Sequence, residues 1–129
     1  MDSILKQAKK IAIQILNDRP VKNNKKIPKT QGVYLIYNKN RIIYAGKARN
    51  LSRRINSNHI SGARKGSTSI FRRKIHKIYG VPFGRLMRKW VLDNCIFAHK
   101  EIKNKDLCSL VEAILITYLR KQGLKLLND

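Results

Sequence analysis

Acidic side chains are scarce in this chain, seven Asp and Glu against 29 Lys and Arg, so the place of each acid is informative. Six have ordinary explanations. Asp2 and Asp106 stand at expected helix starts, where the helix dipole favours negative charge. Asp18 and Asp93 fall in breaks, Glu101 closes an expected strand, and Asp129 is the last residue. Glu112 differs, because it lies mid-helix with apolar Cys108 and Ile116 one turn away on either side. A half-buried carboxylate there needs a compensating cation, either a Lys or Arg or a metal ion. One carboxylate is enough for Mg²⁺, which keeps most of its waters and takes further ligands from substrate phosphate.

Tyr34 and Tyr44 sit on neighbouring expected strands, where both hydroxyls can converge on one face. Tyrosine in a strand is also an ordinary packing residue. Lys47 and Arg54 follow closely. A cation beside a phenol lowers its pKa and makes it a better base, and an arginine fork holds a phosphate. Among 29 basic residues, a cation near any tyrosine is also expected by chance. His59 reads as a general base, a phosphate contact or simply an exposed loop histidine. His76 and His99 have no partner at metal spacing and read as surface or DNA-facing. Asn128 either donates its amide to a phosphate or caps the C-terminal end.

These side chains need elements to hold them. Residues 3–17 carry Ile4, Leu5, Ala8, Ile11, Ala12, Ile15 and Leu16 at helical spacing. A Lys/Asn-rich linker with Pro28 fills 21–31. Strands are expected near 33–38 and 41–45, joined as a hairpin through Asn38-Lys39-Asn40, with a third over 95–102. Asn50 can cap a helix that carries Leu51 and Ile55 on its apolar side and ends near Asn58. A basic loop fills 61–69. One further helix places Ile70, Phe71, Ile75, Ile78 and Tyr79 on one side, and a second places Phe83, Leu86, Met87, Trp90 and Val91 on a stripe. Asp106 starts the most apolar helix, and Gly123 ends it.

The formal net charge of +22 repels itself unless a polyanion neutralises it. Nucleic acid is the expected partner, bound with strong salt dependence through counterion release. The basic residues are spread along the whole chain, which argues against an anionic membrane surface. Cys95 and Cys108 match no metal-ligand spacing and read as reduced core residues of a cytoplasmic protein. No apolar stretch is long enough to span a bilayer, and nothing at the N-terminus reads as a signal peptide.

Together, Gly32-Val33-Tyr34, the run Tyr44-Ala45-Gly46-Lys47-Ala48-Arg49-Asn50-Leu51-Ser52-Arg53-Arg54-Ile55, then Glu112 and Asn128 resemble the GIY-YIG endonuclease family in order and spacing. The Gly-Lys-Ala-Arg-Asn-Leu run is similar to the N-terminal nuclease domain of the bacterial excision-repair incision subunit. The resemblance covers roughly residues 30–128. It implies that Tyr34 activates or positions the attacking water and that Tyr44 lines the same site. It makes Arg54 a phosphate clamp, Lys47 a site lysine, Glu112 the single metal-binding carboxylate, and Asn128 the asparagine near the domain's end. Ala45 replaces the aliphatic residue usual in the second motif. Asn58 with His59 stands where the family often has a Tyr or His one turn after the clamp arginine. The gap from Glu112 to Asn128 is longer than in the repair nuclease.

The expected fold is a small α/β (α+β) domain, a three-stranded antiparallel sheet flanked by helices. An N-terminal amphipathic helix over 1–18 is added to a nuclease-like domain over 19–129. The resemblance implies an endonuclease that uses Mg²⁺ or Mn²⁺ to hydrolyse DNA phosphodiester bonds; the fold adds no long recognition appendage, so little sequence specificity is expected, and a basic monomer is the default. Arg49, Arg53, Arg64, Lys65, Arg72 and Arg73 are the expected backbone-gripping residues. The alternative is a basic DNA- or RNA-binding protein that has kept the scaffold and lost useful turnover.

Overall fold

Two runs of β-branched and aromatic residues, Gly32–Asn38 (β1) and Arg41–Ala48 (β2), fold back on each other through Lys39 and Asn40. A third strand, Cys95–Glu101 (β3), pairs with the free side of β1, giving an antiparallel sheet in the order β2-β1-β3. This is a computed structural model, and it describes residues 2–22, 26–61 and 69–128. As the central strand, β1 is covered on both faces, and Val33, Tyr34, Leu35 and Ile36 are wholly buried.

Alternation sorts the sheet's residues into two cores. On one face Val33, Leu35, Ala45 and Ala98 pack against α1 (Asp2–Asn17) and α4 (Lys105–Lys121) through Ala8, Ala12, Ile15, Val111 and Leu115. On the other, Tyr34, Ile36, Tyr44 and Phe97 meet Leu51 and Ile55, then α2 (Ile70–Tyr79) through Phe71 and Ile75, and α3 (Arg85–Asn94) through Met87 and Val91. A bulge in the β1–β2 pairing between Ile36 and Tyr37 leaves Ile43 outside the register. Ile43 and Tyr44, adjacent in sequence, therefore both face the second core.

The helix after β2 is not an ordinary α-helix. Arg53–Ser61 forms a π-helix, begun by Asn50, whose Oδ1 accepts from the Arg53 N–H at 3.0 Å. Strand β2 runs three residues beyond the expected stop at 45, because Lys47 and Ala48 still pair with Val33 and Gly32. The expected linker over 21–31 is also structured in part. Val21 exchanges hydrogen bonds of 2.8 and 2.7 Å with Phe97, and the Thr30 and Pro28 carbonyls accept from the Leu51 and Ser52 N–H groups. On the α3 side, Met87 and Val91 are buried as expected, whereas Phe83 precedes the helix and it and Leu86 are exposed. Asn104 caps α4 by accepting from the Leu107 N–H at 2.9 Å, and Gly123 leaves it with a φ of +84°. No helix among the described residues is long and apolar enough to cross a membrane.

Candidate active site

The hairpin register puts Tyr34 opposite Gly46 and Ile36 opposite Tyr44, so the two tyrosines share a face on diagonal positions. Their rings lie 6.1 Å apart and nearly parallel. His59 packs beside both, and Phe71 closes the cluster against Tyr44 and His59. The Tyr34 hydroxyl and His59 Nε2 are 2.6 Å apart, and His59 Nδ1 lies 2.9 Å from Ser69 Oγ. Ser69 is itself the N-cap of α2 and accepts from the Arg72 N–H at 3.1 Å. A chain of hydrogen bonds therefore runs from the start of α2 to the Tyr34 hydroxyl.

Burial, then the charges of Arg54 and Arg72, push His59 down to about 3, so it is neutral at physiological pH. Its ring donates on one side and accepts on the other. The Tyr34 phenol is held far above its ordinary value, first by burial and then by Tyr44. Arg54 opposes this by charge and hydrogen bond and does not offset it. The expectation that neighbouring cations make Tyr34 a ready base is thus overturned: desolvation outweighs attraction at a wholly buried ring. Tyr44 is shifted the same way for the same leading reason.

The π-helix decides which residue accompanies Arg54. Its i→i+5 hydrogen bonds bring residues five apart into line, so His59 rather than Asn58 follows Arg54 along the helix. Apolar spacing favours the wide turn, since Leu51, Ile55 and Ile60 recur at intervals of four and five and all three are buried. His59 goes under the floor, 1 % exposed, and Asn58 lines the neighbouring groove.

That groove, a cavity of about 430 Å³, is walled by Lys47, Arg49, Arg53, Arg54 and Lys105, with no acidic residue in its lining. Cys108 and Ser109 of α4 also reach it. Glu112 stands one turn further along that helix, half-buried as expected. Among the described residues no salt bridge reaches it, and the Lys47 ammonium instead donates to Ser109 Oγ at 2.8 Å. Burial raises the Glu112 carboxyl above its ordinary value, while Lys47, through its charge and backbone N–H, and Arg54 pull the other way. No cluster of three or more His, Cys, Asp or Glu is placed to hold a metal among the described residues. Glu112 lies just beyond the lining of the groove, one turn along α4 from Cys108, and a lone carboxylate there suits an ion that keeps water and phosphate as its other ligands.

The remaining sequence-derived residues divide. Arg49, Arg53 and Arg73 are exposed, the first two on the groove and the third on the outer side of α2. Arg72, expected to grip a nucleic acid, is 2 % exposed, and its Nη1 donates to the His59 and Ile60 carbonyls. It neutralises orphan carbonyls at the C-terminal end of the π-helix. Asn128 does not face the groove. Its Oδ1 accepts from the Ala45 N–H at 3.0 Å and its amide donates to the Ala45 carbonyl, so its donor and acceptor are both spent on the backbone beside Tyr44. His76 is tied by Nδ1 to the Val81 carbonyl at 2.8 Å and stacks on Phe83, and His99 is half-buried on β3 opposite Tyr34. Arg64 and Lys65 lie outside the described residues. Sequence reasoning missed Ser69 and Ser109. A serine three residues before Arg72, just ahead of an apolar-periodic run, is the capping signal that points to the first.

The GIY-YIG catalytic domain family matches residues 30–125. The chain belongs to the GIY-YIG family of nucleases. No curated protein matches it. Among solved structures it is similar to the GIY-YIG N-terminal endonuclease domain of UvrC from Thermotoga maritima, described as bound to its catalytic divalent cation, magnesium, at 22 % identity and a TM-score of 0.46. That match covers 88 % of this chain and 91 % of the other. Two tyrosine-to-phenylalanine point mutants of the same domain match at 21 % and 20 % identity, each with a TM-score of 0.46 and covering 88 % of this chain and 90 % of theirs.

The packing explains the two glycines of the GIY-YIG motifs. A Cβ on Gly46 would stand 2.5 Å from the Tyr34 hydroxyl oxygen, and one on Gly32 would stand 2.1 Å from the Lys100 carbonyl oxygen. The first glycine lets β3 and β1 close up, and the second makes room for the tyrosine at the centre of the floor. Ala45, the departure in the second motif, is wholly buried against the core shared with α1 and α4.

Proposed function

We propose that this chain is a divalent-metal-dependent endonuclease that hydrolyses DNA phosphodiester bonds with little sequence preference. The observation that carries the reading is Glu112, a half-buried carboxylate beside a basic groove and without an ion-pair partner among the described residues. A buried acid left without a cation is costly, and a metal ion relieves that cost. When bound, a divalent ion polarises the phosphoryl oxygen and lowers the pKa of its own water.

The chain's own residues do the rest. Lys47 and Arg54 face the groove and balance charge that builds on the phosphate. Tyr34 stays protonated at neutral pH and lies wholly buried beneath the groove, so it braces the site through a neutral hydroxyl and is not a standing phenolate. His59 and Ser69 hold that hydroxyl in place, and Asn128 holds the strand that carries Tyr44. The groove offers cations for phosphate, contacts that carry no sequence information.

Supercoiled DNA incubated with Mg²⁺ or Mn²⁺ tests the reading. Wild type nicks it, and Glu112→Gln is slower by about 10³-fold, the scale of losing one site of transition-state charge stabilisation. The variant binds DNA at least as tightly, because an acid has been removed from a surface that meets a polyanion. Wild type that only shifts the DNA and never nicks it leaves a basic binding protein and ends the enzyme reading.

A further inference from the structure

At the other end of β1, around the hairpin turn, lies a second cavity of about 610 Å³, within the range of sites that hold small ligands. Lys39, Arg41 and Lys125 stand on it, and no described acidic residue lines it or pairs with any of the three. Its wall includes Ile78 and Tyr79, which are 57 % and 47 % exposed. The Tyr79 ring is braced by Trp90, with ring centres 5.1 Å apart. The turn has an unusual first residue, since Lys39 has a φ of +60°, in a position that glycine occupies more easily.

We infer that this cavity takes an unpaired nucleotide of single-stranded DNA. Tyr79 stacks on the base, and Lys39, Arg41 and Lys125 neutralise the flanking phosphates. An exposed, braced aromatic ring among cations is the arrangement that binds single strands, because every base offers a π-face once it leaves the duplex. Paired bases bury that face, so duplex DNA meets only the cations. The cavity includes Asn38, and the catalytic groove includes Gln31, next to Gly32 at the opposite end of β1. At about 3.3 Å per residue the two lie about 20 Å apart, which is about six base steps of duplex. Given the nuclease reading, on which this spacing rests, the preferred substrate is a duplex that carries a single-stranded branch or end.

Binding is measured without divalent ions, so a chain that cuts nothing can pass and one that cuts can fail. The chain is titrated with oligothymidylate of about ten nucleotides, a typical single-strand site size, and with duplex of the same length. Fluorescence of Trp90, the only tryptophan, is the readout. Oligothymidylate quenches Trp90, and Tyr79→Ala weakens its binding at least about fivefold, the low end for one stacked base. Tyr79→Phe restores it, and duplex binding follows neither change. Lys39→Gly weakens oligothymidylate binding while raising Tm, a pair of effects that partial unfolding does not produce. Equal losses on oligonucleotide and duplex, or unchanged oligonucleotide binding in Tyr79→Ala, overturns the assignment.

Discussion

Arg53 on the rim of the groove keeps its side chain in solvent, whereas Arg72 lies beneath the same π-helix, with its guanidinium on two backbone carbonyls. The two arginines share a charge and differ in what answers it. On the rim, Arg49 and Arg53 have no salt bridge among the described residues and are left to a polyanion, while Arg54 beside them also hydrogen-bonds Tyr34. Under the floor the fold itself answers, and the same charge helps keep His59 neutral against Tyr34. A basic composition therefore contains two populations of cations, one set aside for a ligand and one consumed by the architecture.

The widest separation is in stability. Arg72→Met leaves the His59 and Ile60 carbonyls buried without their donor and costs about 3 kcal/mol. Arg53→Met stays within about 0.5 kcal/mol, yet lowers the salt slope of DNA binding by about one. Urea unfolding and salt titrations of both variants check this, and equal unfolding midpoints would erase the distinction between rim and floor. Next in size is Gly46→Ala, which drives a methyl group into the Tyr34 ring and costs about 1–3 kcal/mol as overpacking. The same displacement separates the Tyr34 hydroxyl from His59, so nicking falls even at temperatures where the variant stays folded. Retained nicking would show that the floor tolerates movement.

The smallest effect per step concerns pH. The folded state keeps His59 neutral down to about 3, while the unfolded chain takes up its proton below 6.5. That contribution to stability is present above pH 6.5 and is lost as pH falls toward 3, with a slope of at most about 1.4 kcal/mol per pH unit. His59→Gln lacks it, so its Tm falls less steeply than that of wild type between these limits. Parallel curves would place a charged histidine in the floor.

The three strands, the shared face of Tyr34 and Tyr44, and the half-buried position of Glu112 were all legible, because period-two and helical spacing report which side of an element meets a core. What stayed hidden depends on partners distant in sequence. Arg72 follows Phe71 on a basic helix, and only the carbonyls left open by the π-helix draw it inward. Asn128 reads equally well as phosphate donor or cap until strand β2 is seen to present Ala45 to it. The pKa of Tyr34 followed from proximity to cations in the sequence, and its complete burial reversed the sign.

The segments that flank the sheet have one more effect. Val21 bonds to the outer side of β3, while Leu127 and Asn128 bond to Ile43 and Ala45 on the outer side of β2. Both borders of a short sheet are thus occupied by chain that is not strand, and little backbone is left to recruit a strand from another molecule. Copies of the chain at high local concentration can then sit side by side without zipping into β-aggregates.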